Sequence, residues 1–219
     1  MVRGSPRTPT LGATSGRTIP GRNMPRRTTP RVRDGRVQRK NSTRRTLDYF
    51  HDTMPWLVVD RERPGPGCTH VARCEEVRRF VQLLPDWPTL SQGLNAIVLA
   101  RVDNCMGWHR PGVVAICAWE RELAWPDCDL NFFDEHREVL DKLGVPYDVH
   151  WDRVVVHFTM DTAKAFQLVH VLVHELGHHH DRMTTRRRRD CGRGEAYAER
   201  YARRFEDEII RRYRREFAL

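Results

Sequence analysis

His174-Glu175-Leu176-Gly177-His178 is the stretch of this 219-residue chain whose reading decides the rest. Two imidazoles stand four residues apart, and a carboxylate follows the first. On an α-helix such positions lie about 40° apart around the axis and one turn along it, so both rings can reach one metal ion. The pattern is the H-E-x-x-H of zinc hydrolases, in which the glutamate holds and deprotonates a water. Zinc requires at least one more protein ligand, and a catalytic site keeps a position open.

The flanking residues place the motif late in a buried helix. Asp161 or Thr162 is the expected N-cap. Ala165, Leu168, Val169, Leu172, Val173 and Leu176 then recur at helical spacing. Two histidines and a glutamate on such a surface are costly to bury without a cation, although a hydrogen-bonded cluster of core histidines is the bland alternative. Downstream, Gly192 and Gly194 interrupt the chain, and a new helix is expected from about Arg193 through Tyr213. Its apolar stripe is Ala198, Ala202, Phe205, Ile209 and Tyr213. Glu195 begins that stripe and is expected to face the core, where a zinc ion would satisfy it. An acid favoured by the helix dipole is the alternative reading. Glu199, one turn on, is placed to accept a hydrogen bond from the free ring nitrogen of a ligating histidine.

H-E-L-G-H followed by Glu195-Ala196-Tyr197-Ala198-Glu199-Arg200-Tyr201-Ala202 resembles the gluzincin zinc peptidases, and most of all the compact ImmA/IrrE-like minimal gluzincins. The resemblance spans about residues 95–215, with only the two motif helices specific. It implies an α+β, zincin-like fold: a small mixed or antiparallel sheet packed on the H-E-x-x-H helix and a second ligand-bearing helix. It also implies one Zn2+ held by His174, His178 and Glu195, with Glu175 as the base and Glu199 behind the ligands. The implied activity is zinc-dependent endopeptidase action on a protein or peptide substrate. Tyr197, Tyr201, His157 and His179 are the candidates for stabilising the oxyanion. Asp181 and Thr184 stand where a metzincin would need Gly and His, which argues against that layout, and Asp181 remains a weak substitute ligand. The chain lacks a recognisable helix-turn-helix region, which argues against a repressor-cleaving role.

Charge divides the chain. Residues 1–46 hold thirteen Lys or Arg and one acid, Asp34, for a net +12, whereas residues 47–219 hold 25 basic and 28 acidic side chains, for a net −3. The first segment is rich in Arg, Thr, Pro and Gly and is expected to be a disordered basic tail ahead of a single domain over 47–219. It could bind nucleic acid through phosphate charge, which gives a second reading as a DNA-tethered protease, although no aromatic side chains interleave the arginines before Tyr49 and a solvated, functionally neutral tail is the bland alternative. It could also be a transit peptide or a mis-assigned start, with Met24 and Met54 as alternatives. A third reading of the whole chain is a non-catalytic zinc-binding partner module. No apolar run is long enough to span a membrane. Six cysteines without a C-x-x-C pair or a signal sequence are read as reduced thiols in a cytoplasmic protein. Cys105, Cys128 and Cys191 are open to a second metal site or to disulfides.

Thr69–Leu84 and Phe132–Leu143 are expected helices. Leu94–Val102, Gly112–Trp119 and Arg153–Thr159 are expected strands. Asn104–Pro111 is read as a hairpin loop joining the first two strands. Arg153–Thr159 or Gly112–Trp119 is expected to form the sheet edge along the cleft; His157 alternates with Val156 and Phe158 and is open to facing the cleft, although a polar strand residue is the favoured reading. Arg186–Arg189 is a basic linker between the two metal helices.

Overall fold

The structure is a computed structural model that describes residues 48–185 and 191–217, together with the backbone of two short paired strands, β1 (Val32–Arg33) and β2 (Arg36–Val37). Apart from that pairing, the basic tail and Arg186–Arg189 lie outside the described residues.

The remaining elements are β3 (Val58–Arg61), β4 (Cys68–Thr69), α1 (Cys74–Val81), α2 (Trp87–Leu90), β5 (Ala96–Ala100), β6 (Gly107–Arg110), β7 (Val113–Cys117), β8 (Trp119–Glu120), β9 (Ala124–Cys128), α3 (Leu130–Leu143), β10 (Tyr147–Val149), β11 (Val154–His157), α4 (Met160–Phe166), α5 (Val173–Thr184), α6 (Glu195–Arg204) and α7 (Glu206–Phe217). A π-helical turn, Gln167–Leu172, joins α4 to α5. The architecture is α+β.

The central sheet is mixed, with order β3-β5-β7-β6: β3, β5 and β7 are parallel and β6 is antiparallel to β7. This corrects the expected hairpin. The strands within Leu94–Val102 and Gly112–Trp119 run side by side in parallel, and residues 107–110 form the edge strand rather than a loop. The reason lies in β5 and β7, every residue of which is buried. Ile97, Leu99, Val114 and Ile116 enter the main core, while Ala96, Val98, Ala100, Val113, Ala115 and Cys117 pack on the other face under Tyr49. Strands covered on both faces read as continuous apolar runs and suit parallel pairing.

The edge assignment is corrected too. β7 is interior, and β11 is the middle strand of a separate antiparallel sheet, β10-β11-β9. A third pairing joins β4 to β8.

Local chemistry moves several boundaries. Asp129 caps α3 by accepting from the N–H groups of Asn131 (2.9 Å) and Phe132 (3.2 Å), so the helix begins at Leu130; Gly144, at φ 69°, ends it. Thr159, not Asp161 or Thr162, caps α4, accepting from Thr162 N at 3.1 Å. The segment expected as one helix over 69–84 is a short strand followed by α1. The expected helix over 193–213 is broken at Phe205 (φ −115°, ψ 7°) into α6 and α7. Ile209, Ile210 and Tyr213 of α7 are buried against the core. Lys142 of α3 ties this end of the molecule together, with Nζ 2.7 Å from Glu206, 2.7 Å from Glu138 and 2.9 Å from Asp207.

Candidate metal centre

α5 packs on β6 and β7 along one side and on α6 along the other. Gly177 makes the second contact possible. A Cβ there would lie 2.9 Å from Ala198 Cα and 3.0 Å from Ala198 O, so the bare backbone lets α6 approach. The loop before α6 is fixed by Asp181, which is fully buried on α5. Its carboxylate accepts from Arg193 N (2.8 Å), Arg193 Nε (2.7 Å), Gly194 N (3.1 Å) and Thr185 Oγ1 (3.0 Å). Burial works against its ionisation, but these bonds outweigh that and hold its pKa below the usual range. Gly194 takes φ 64°, a left-handed turn that suits glycine. Asp181 is thus an anchor for the helix pair rather than a ligand.

The close approach brings Glu195 over the two histidines. Glu195 Oε2 lies 3.1 Å from His174 Nε2 and 3.4 Å from His178 Nε2, and the ligand atoms of the three residues all lie within 4.8 Å of one another. A tetrahedral ion with bonds of about 2.0–2.1 Å separates its ligand atoms by about 3.3 Å, so the donor set fits such an ion. Contrary to expectation, Glu195 does not face the core: its side chain is 52% exposed, above a mostly buried histidine pair. A carboxylate at the mouth of a cleft stays partly hydrated and needs no core partner to be satisfied.

Glu199 stands behind. His174 Nδ1 donates to Glu199 Oε2 (3.3 Å), and Glu199 Oε1 accepts from Arg203 Nε (2.7 Å). With Nδ1 so engaged, Nε2 is the nitrogen that faces Glu195.

Shared protons couple the two imidazoles to the two carboxylates. Burial opposes protonation of His174, but hydrogen bonds to Glu195 and Glu199 outweigh it and lift its pKa to about 9. His178 is also raised: burial opposes this, and contacts with Cys191 and Glu195 prevail. Glu195 falls to about 2 through its bonds from His174 and His178. Glu199 also falls to about 2: burial works against this, and His174 leads the groups that overcome it. A divalent cation would replace the protons shared by these groups.

Glu175 is 4% exposed and faces the edge strand. A Cβ on Gly107 would lie 2.8 Å from both Glu175 Cγ and Oε1, so glycine at 107 makes room for this carboxylate. Burial raises its pKa to about 8.

The other sequence candidates are placed elsewhere. His157 is exposed on β11 and bonds Asp148 (2.9 Å). His179 is buried, its Nε2 bonded to Gln92 O (3.0 Å). The Tyr197 hydroxyl is 2.7 Å from His180 Nδ1, and Tyr201 is buried against the ring of His180. Sequence reasoning missed His109, on β6. Its ring stacks beside that of His178 (6.3 Å), and its Nδ1 lies 3.5 Å from Cys191 Sγ. It was hidden by reading 104–111 as a loop. It also missed His170, one turn before His174, with Nε2 3.9 Å from Glu199 Oε2. Six cysteines are free; Cys105 lies 4.0 Å from Cys117, and Cys128 sits apart, bonded to Asp129 O.

An α+β fold carrying a two-histidine, one-carboxylate cluster defines a candidate metal protein. No family model matches the chain, and no curated protein or solved structure shows detectable similarity to it. Among the described residues no helix is long and apolar enough to cross a membrane.

Proposed function

We propose that this chain is a zinc-dependent endopeptidase of the zincin type, with a gluzincin-like ligand set. The observation that carries the reading is the position of Glu195 Oε2 against both imidazole Nε2 atoms, with the buried carboxylate of Glu175 facing β6, the edge strand of the central sheet.

Zinc, when bound by His174, His178 and Glu195, supplies Lewis acidity toward water and a peptide carbonyl. Glu199 keeps a proton on His174 Nδ1 and so presents Nε2 as the ligating nitrogen. Glu175 takes a proton from the attacking water and hands it to the departing amine; burial raises its pKa above the usual carboxylate range, and a neighbouring divalent cation would favour its ionised, proton-accepting form. The outer edge of β6 supports an extended substrate. Cys117 N donates to Met106 O, so the alternation of the ladder turns the backbone groups of Gly107 and His109 away from β7. A peptide can pair there as an added strand.

Glu175→Gln tests the reading. It is expected to keep zinc content and to lower hydrolysis of an unfolded protein substrate by about 10²–10⁴-fold. Full activity in that variant would contradict the role of Glu175, and a metal-free wild type would remove the enzyme reading.

A further inference from the structure

We infer that Arg110, held on an aromatic shelf beside the active edge, selects an acidic side chain in the substrate; this rests on the peptidase reading above. The residues of β6 alternate in direction. Gly107 faces Glu175 and His109 lies beside His178, both on the α5 side. Trp108 and Arg110 therefore face the opposite side of the sheet, where Trp108 packs with the cluster under Tyr49.

There the Phe50 ring stacks beside Trp108 (6.3 Å, 23° between planes), and the Arg110 guanidinium sits 5.2 Å from the Trp108 ring and 5.8 Å from the Phe50 ring. The shelf is built. Asn95 Nδ2 donates to Tyr49 O and Asp52 O, each at 3.2 Å, and Asn95 Oδ1 accepts from Met54 N at 3.2 Å. One half-buried asparagine just ahead of β5 thus clamps the turn that carries Phe50 to the sheet.

Arg110 is exposed and has no carboxylate partner among the described residues. Cation–π contact orients the fork and strips part of its water, which strengthens an ion pair with an arriving carboxylate. A strand added along β6 places its own side chains about 5 Å from their cross-strand neighbours. Every second substrate residue would then lie on the shelf side, and the one opposite Arg110 meets a cation with no carboxylate partner among the described residues. An Asp or Glu is the side chain that fits.

The test is cleavage-site profiling by mass spectrometry. Zinc-loaded full-length protein is incubated with a denatured proteome-derived peptide library, beside Arg110→Gln, Arg110→Glu and Glu175→Gln, with zinc content checking that each variant is folded. Wild type is expected to enrich Asp and Glu about fivefold at one fixed position close to the cleaved bond. Arg110→Gln should lose that enrichment, and Arg110→Glu should replace it with Lys and Arg at the same position. Cleavage by wild type without acidic enrichment, or enrichment unchanged in both Arg110 variants, overturns this inference alone. No cleavage dependent on Glu175 overturns the peptidase reading and this inference with it.

Discussion

At the scale of single residues, two glycines, Gly177 against Ala198 and Gly107 against Glu175, do as much to form the site as the candidate ligands. Gly177 touches the backbone of Ala198, and a methyl group there meets atoms that cannot swing away. Gly177→Ala is expected to push α6 outward, destabilise the fold by about 1–3 kcal/mol and weaken zinc binding, because Glu195 and Glu199 both ride on α6. Chemical denaturation and zinc competition measure the two effects; unchanged values for both would contradict this account of the helix contact. Residue-level chemistry was the most legible part of the sequence. The i, i+4 spacing brought His174 and His178 together, and the acid 17 positions later proved to lie against them. The inward orientation expected for Glu195 was wrong, because helical phase alone does not tell a core from the mouth of a cleft.

At the scale of elements, the junction between α5 and α6 rests on Asp181. Its carboxylate holds the backbone N–H groups of both Arg193 and Gly194, just ahead of Glu195. Asp181→Ala leaves those backbone donors without their acceptor and frees the start of α6. Zinc affinity is expected to fall about 10–100-fold with the three proposed ligands intact, measured by competition with a chelating dye. An affinity equal to wild type would show that the helix pair is held by other contacts. Element type was mostly readable from apolar periodicity, whereas pairing was not. β6 carries Gly, Trp, His and Arg, a composition without alternation, and its strand character comes from the β7 ladder. The break at Phe205 is likewise invisible in a stripe that continues at helical spacing on both sides.

At the scale of the whole molecule, the proposed metal binding would be linked to stability through protons. The pKa of His174 rises on folding to about 9, so its contribution to stability is complete below pH 6.5, the value of a free imidazole, and is lost as pH rises through about 9. Glu175 adds in the same direction: an acid raised from 4.5 to about 8 by burial binds its proton more tightly in the folded chain, and stability declines across that interval. Metal-free protein is therefore expected to melt several degrees lower near pH 9 than near pH 6, and a zinc-loaded sample to lose much less. Equal pH dependence with and without zinc would contradict the coupling. Far from the site, Lys142→Ala leaves Glu206 nearly buried without its cation and should cost about 3 kcal/mol in denaturant unfolding, against about 1 kcal/mol or less for the exposed partner in Glu138→Ala.

The most direct measurement is zinc K-edge X-ray absorption on the purified full-length chain, beside Glu195→Ala. The account predicts one zinc per chain with nitrogen and oxygen neighbours at about 2.0–2.1 Å, two of them imidazoles, and a lost oxygen ligand or lost metal in the variant. A sulfur neighbour at about 2.3 Å, an identical spectrum in Glu195→Ala, or no stoichiometric zinc would contradict it.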